Sequence, residues 1–551
     1  MSEHTAKNAS AMAVVEMPAS KSEEFSVQAD PVSNDSASNV SSLVDVPLTF
    51  KILSIIMVSA IGFGSSWSSG ITGAMKTALK KGLKINNTQY ALLDASEDFM
   101  KTVLVMVSGV VTDRIGGAKA ILYGNVIYSI GSILVATATT VRNYQFMIFG
   151  QIVLSLGDIA TQIAQYKIFS SWFPPSHGFA STLALELAIG KIGGFVGKST
   201  ANIIAKKTGD FSWVFWTAVF MNLFTNVMTI AFFFFTKYCE RRFKGMSDPA
   251  TGEVLTEKNK KFELRKILEL PWTFWGVMLF TLFETSNAIV FQANATELAQ
   301  LRFGTDAITA GWYSSLLQYA GFFVVPCVGI FVDLYGNRLI LFVVCGAGVL
   351  LSMCLVNWAT TTQGTAAAFG IYAVAYSLGP TLIIDSIRTS IWHQSVFGSA
   401  YAIKITLNNA QNIIIRILTG VLQDDSPDSN PYTKVTPVYV VLSAGSFLVS
   451  IIFLGIFLFA KLNKSSIYVD IARLQWTRKH RIAHGEEIKE RCVAVGLGEE
   501  KGGGENGEMV EEMGEKRRMR KISMGAFGML CFWILGSWVA YFWGVATGNN
   551  D

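Results

Sequence analysis

The polar chemistry of this chain sits at a few positions inside long apolar runs. Ser155, Asp158, Gln162 and Gln165 follow spacings of 3, 4 and 3. At about 100° per residue they share one helix face. Such a stripe either lines a water-filled path or bonds to a neighbouring helix. Lys191 and Lys198 lie seven apart on one face of the next run, with Glu186 roughly 140° round from Lys191. Lys404, Asn408 and Gln411 form another stripe, with Arg416 eight residues beyond Asn408. Glu284 opens the mid-run group Glu284-Thr285-Ser286-Asn287, and Asp94, Glu97, Asp98 and Lys101 crowd a further run. An ionisable group in a span costs about 2.5–3.5 kcal/mol on insertion scales, so it usually faces a cavity and has a task.

Such groups suit the binding of a polar or charged solute, and Lys191, Asp158 and Glu284 are the charged candidates to contact it. Gln162, Gln165, Asn408 and Gln411 add hydrogen-bonding groups beside them. Glu97, Asp98, Lys101 and Glu284 are candidates for carrying a coupled proton, although Glu97 and Lys101, spaced i,i+4, can neutralise each other. Asp385 and Arg388, spaced i,i+3, read as a local pair. No nucleophile–base constellation and no metal-ligand spacing is visible, so no catalytic residue, metal or cofactor is expected.

These groups must be positioned by membrane helices. Of 551 residues, 51% are hydrophobic and only 15% charged, against about 25% charged in soluble domains. That argues against a soluble enzyme or a nucleic-acid binder and makes the lipid bilayer the chain's surrounding partner. Runs of roughly 20 apolar residues predict an all-α polytopic fold. Six spans fall at about 48–71, 88–111, 118–140, 144–172, 178–205 and 212–236. Six more fall at about 270–292, 309–332, 339–358, 364–385, 396–422 and 436–460. A thirteenth is expected at 524–545. The resulting divisions are an N-tail (1–47), a first half (48–236), a central loop (237–269), a second half (270–461), a basic, partly disordered tail (462–522) and the extra helix (523–551). The stretch Gly496–Glu515 reads as disordered linker.

Lys237–Glu269 holds nine Lys/Arg and Lys461–Lys521 fourteen, which places both, and the N-terminus, in the cytosol. The connector with Lys76, Lys80, Lys81 and Lys84 falls on the far side and disagrees with that rule. Asn86 and Asn294 begin far-side sequons and are candidate glycosylation sites. The six cysteines read as free thiols.

An offset of 220 residues aligns Gly109, Asp113 and Gly116 with Gly329, Asp333 and Gly336, and Trp172 and Gly178 with Trp392 and Gly398. Two duplicated six-helix halves follow from this. The first copy, Gly109-Val-Val-Thr-Asp113-Arg114-Ile-Gly116, and the second, Gly329-Ile-Phe-Val-Asp333-Leu-Tyr-Gly336-Asn-Arg338, resemble the loop signature of the major facilitator superfamily. Gly109, Asp113, Arg114, Gly116, Gly329, Asp333, Gly336 and Arg338 are therefore candidate gating residues. Ser170-Ser-Trp-Phe with Leu187-Ala-Ile-Gly-Lys191-Ile-Gly193, and Gly398-Ser-Ala-Tyr401 with Asn409-Ala-Gln-Asn412 and Gly420-Val-Leu-Gln-Asp424, resemble the domain-containing protein 1 family of lysosomal dipeptide transporters. That resemblance implies an acidic residue at Asp158 and a basic one at Lys191 holding a peptide's ends.

The expected function is alternating-access transport of dipeptides or amino acids, secondary active or facilitative, across a lysosomal or vacuolar membrane. One alternative is a carrier of another organic anion or a sugar at the plasma membrane, with Lys191, Lys198 and Lys404 as an anion clamp. Another is a transport-inactive receptor or scaffold. The expected partner is a small-molecule substrate and not nucleic acid. An accessory membrane subunit is not readable from the sequence.

Overall fold

The computed structural model describes residues 47–173, 179–243, 270–391, 397–427, 430–463, 467–485 and 505–548. These residues form helices and their connections. The first six long helices are α1 (Leu48–Ala74), α2 (Asn87–Ile115), α3 (Gly117–Val141), α4 (Tyr144–Trp172), α5 (Phe179–Thr208) and α6 (Ser212–Arg242). The next six are α7 (Trp272–Phe303), α8 (Ala307–Tyr335), α9 (Arg338–Trp358), α10 (Thr362–Ser390), α11 (Phe397–Asp424) and α12 (Thr436–Leu462), and α13 is Glu505–Gly548. Among the described residues, eleven helices are long and apolar enough to cross a membrane. The remaining two long helices, α2 and α11, carry the crowded charges of Asp94–Lys101 and Lys404–Arg416.

The duplication is visible in the helix ends. The bounds of α8 follow those of α2 by 220 residues at both (307 − 87 and 335 − 115). Each helix stops on a glycine with positive φ, Gly116 at 89° and Gly336 at 70°, a conformation that costs other residues strain. The halves meet along two seams, α2 on α11 and α5 on α8. The two signature glycines sit on these seams: Gly109 faces Ala402 of α11, and Gly329 faces Ala184 of α5. Within the first half, glycines let α1 and α5 approach closely. A Cβ on Gly70 would lie 2.5 Å from the Gly194 carbonyl oxygen.

The connectors have defined parts. Two of the far-side lysines form ion pairs with the second half. Lys76–Leu83 is a short helix, with Lys76 and Lys80 paired to Glu297 at 2.8 and 2.5 Å. The tail after α12 is ordered over 467–485 because it carries its own apolar anchors: Ile471 and Leu474 are fully buried. It docks where Arg338 donates to the Trp476 carbonyl at 2.8 Å and Trp272 donates to Asp470 at 3.0 Å. Finally, α13 begins at Glu505, so the linker expected to run to Glu515 is helical over its last residues. The N-tail and 486–504 lie outside the described residues.

Candidate functional site

A cavity of about 470 Å³ opens between the halves. Its acidic side lies where α2, α4 and α11 meet. Lys101 is held by Glu97 at 2.5 Å and Asp158 at 2.7 Å. Arg416, from the other half, is held by Asp94 at 2.7 Å and Asp98 at 2.9 Å. Four carboxylates thus share two cations, leaving this wall two charges negative if all are ionised. The i,i+4 pair Glu97–Lys101 forms, but Lys101 also spans to α4.

The opposite wall, toward the α5–α8 seam, is cationic. Lys191 crosses to the second half, its ammonium 4.7 Å from the ring centre of Tyr376 on α10. Its aliphatic stem lies beside Gly321 of α8. A further lysine, Lys404 of α11, lines the cavity with its ammonium 5.6 Å from the Tyr401 ring centre. Among the described residues neither lysine has an ion-pair partner. Lys198 donates to the Gln292 carbonyl at 2.8 Å. Desolvated cation–π contact stabilises a lysine by about 2 kcal/mol, which leaves room for a stronger anionic partner.

The polar stripe of α4 lines the cavity through Asp158, Gln162 and Gln165. Gln165 also donates to Glu186 at 2.7 Å, so one stripe does both things its spacing allowed. Asn408 lines the cavity and donates to Thr281 at 3.2 Å. Gln411 does not join it. Its carbonyl accepts the Trp533 indole N–H of α13 at 2.9 Å, because the stripe's last turn rotates toward that helix. Glu284 is also not part of the wall: it is buried against the α10 backbone at Gly379, accepting from Thr285 at 3.0 Å. Asp385 pairs with Arg338 at 2.5 Å rather than with Arg388.

Asn294 is a further correction. It lies within α7, 6% exposed, accepting from Lys76 at 2.6 Å and donating to Tyr439 at 2.9 Å, so no glycan can be attached there. Asn86 is the N-cap of α2, accepting from the Gln89 amide at 2.7 Å. Sequence reasoning missed Gln292, Gln318 and Tyr376, which line the cavity. Lone polar or aromatic residues in an apolar run carry no periodic signal. Among the described residues no group of His, Cys, Asp and Glu is arranged to hold a metal.

The Major Facilitator Superfamily family model matches residues 56–410. The chain belongs to the major facilitator superfamily. It is therefore a multi-pass membrane transporter and not an enzyme. Similar relatives include the lysosomal dipeptide transporter MFSD1 of Homo sapiens, 21% identical over 396 residues, covering 68% of this chain and 81% of the relative. The Mus musculus protein of that name is 23% identical over 399 residues, with the same coverages. Among solved structures, the proton:xylose symporter XylE aligns with TM-score 0.58 and 14% identity, over 74% of this chain and 95% of that one. The human organic anion transporter MFSD10 aligns with TM-score 0.54 and 9% identity, over 74% and 99%. At such identity these two show the fold.

In this member of the superfamily the second signature loop is closed onto α5. In the second copy, Asp333 accepts from the Ser181 amide at 2.8 Å, in the first turn of α5, where unsatisfied N–H groups favour a carboxylate. Its Arg338 is 4% exposed. In the first copy Arg114 is exposed, and the Asp113 side chain lies outside the described residues, as does Gly178.

Proposed function

We propose that this transporter carries small zwitterions, dipeptides or amino acids, by alternating access. The observation that carries this reading is a single cavity with carboxylates on one wall and unpaired ammonium groups on the other. Asp158 receives the substrate amine and Lys191, assisted by Lys404, its carboxylate. Gln162, Gln165 and Asn408 hydrogen-bond the body between them. The signature loops gate the inner end, where α1 begins: Asp333 clamps α5, and Arg338 ties Asp385 to the tail segment. Of the groups considered for proton coupling, Glu97, Asp98 and Lys101 are committed to ion pairs and Glu284 lies behind the wall. The arrangement favours facilitative transport. A lysosomal or vacuolar membrane fits the similarity to MFSD1, and the basic connectors favour a cytosolic N-terminus.

A second reading, transport of a non-zwitterionic organic anion, is favoured by Lys191, Lys198 and Lys404 together. Counterflow in proteoliposomes separates the two. Zwitterionic dipeptides should exchange, and blocking their amine by acetylation should abolish exchange. Equal exchange of the acetylated forms favours the anion reading.

A further inference from the structure

Lys101 makes a contact that the substrate itself is expected to make. Its ammonium lies 2.7 Å from Asp158, the distance of a charge-assisted hydrogen bond from a bound amine. It is simultaneously 2.5 Å from Glu97. The side chains are largely enclosed, 11% exposed for Lys101 and 13% for Asp158, with Glu97 the more open at 30%. Arg416 is occupied by Asp94 and Asp98 and cannot substitute.

Resting on the reading of Asp158 as the amine site, we propose that Lys101 is an internal stand-in for the substrate ammonium. In the empty carrier it neutralises Asp158. An arriving amine displaces it from Asp158, and it stays on Glu97, one carbon chain away on the same helix face. The accounting supports the exchange. Four carboxylates and two cations leave each cation bridging two acids. A third cation from the substrate lets Lys101 release one acid without leaving it unpaired.

This has a consequence for the cycle. A carrier that rocks between two states must carry its binding site through a closed, dehydrated arrangement. An uncompensated carboxylate there is strongly disfavoured. With Lys101 in place the unloaded site has no bare Asp158, so the empty carrier can return. Without Lys101, Glu97 is the more open acid, 30% exposed, and keeps water as its partner, whereas the enclosed Asp158 is bare unless a substrate amine fills it, so only the loaded form crosses readily. Lys101 is thus a positioning residue that permits net transport, while exchange needs only Asp158 and Lys191.

The test compares wild type, Lys101→Gln and Lys101→Arg in proteoliposomes with a labelled dipeptide. Lys101→Gln should retain counterflow and lose net uptake into empty vesicles by about a hundredfold, the rate equivalent of stranding a buried carboxylate. Lys101→Arg, which keeps the cation, should restore net uptake. Net uptake that survives in Lys101→Gln, or that falls together with counterflow, overturns the proposal. A second arm needs no substrate: spin labels at Lys84 and Leu301, on opposite halves, report the spread of the empty carrier between its states. Wild type should show two distances and Lys101→Gln one; identical distributions overturn the proposal. If wild type exchanges no dipeptide, the substrate reading falls while the label distances still decide the role of Lys101.

Discussion

Lys191 is poised on the Tyr376 ring rather than on a carboxylate, so a substrate carboxylate gains a cation without breaking an ion pair. Lys191→Ala should therefore remove about 2–5 kcal/mol of substrate binding and abolish counterflow, while the protein still reaches its membrane. Normal exchange by the variant would exclude Lys191 from the site. Asn294 makes the opposite point. Its sequon is a local pattern that carries no information about burial, and the residue is tied instead to Lys76 and Tyr439. Asn294→Gln should leave the protein's electrophoretic mobility unchanged. A mobility shift on that substitution would contradict the buried placement. Spacing alone made Asp158, Gln162 and Lys191 legible because helical periodicity reports a shared face. It could not separate Asn408 from Gln411, three residues apart, since the neighbour that captures Gln411 is more than a hundred residues away.

Of the elements, α13 lies outside the duplicated halves and docks through identifiable contacts. It lies along the α2–α11 seam, with Trp538 donating to Thr102 at 3.1 Å and Tyr541 stacked on Phe99 at 4.6 Å between ring centres. A side chain on Gly544 would meet Ile417 and Leu92. Gly544→Leu should lower stability by about 1–3 kcal/mol through overpacking, and Trp533→Phe by about 1 kcal/mol through the lost bond to Gln411, both read by thermal unfolding in detergent. Unchanged melting in both would mean that α13 does not rest on this seam. The existence of α13 was readable from its uncharged length, but its docking face was not, because an apolar helix looks alike on all sides. The ordered segment 467–485 escaped notice for the converse reason. Two buried anchors, Ile471 and Leu474, are hidden in a basic, polar context.

At the scale of the whole molecule, two carboxylates of the second half hold the outer end: Asp424 accepts from the Asn87 and Thr88 amides at 3.0 and 2.8 Å, and Glu297 carries the charged lock. Glu297 binds Lys76, Lys80 and the Tyr432 hydroxyl, the last at 2.6 Å, joining the first half to the second. The inner end is joined by Asp333 on Ser181 and by the ring pairs Tyr166–Tyr401 and Phe179–Phe397. Glu297→Gln should bias the carrier toward outer opening and raise thiol labelling of a cysteine at Thr77 about tenfold, a shift of about 1.4 kcal/mol. Unchanged labelling would remove Glu297 from the gate. The 220-residue repeat made the two halves legible, yet not these locks, which join residues that the duplication does not relate. The central claim is that the bipolar cavity takes a zwitterion, and it is tested most directly by counterflow of the purified protein in proteoliposomes against dipeptides, amino acids, sugars and acetylated dipeptides. The predicted result is exchange of free dipeptides or amino acids that Lys191→Ala abolishes. Exchange of sugars or acetylated peptides with no exchange of free dipeptides or amino acids would contradict it.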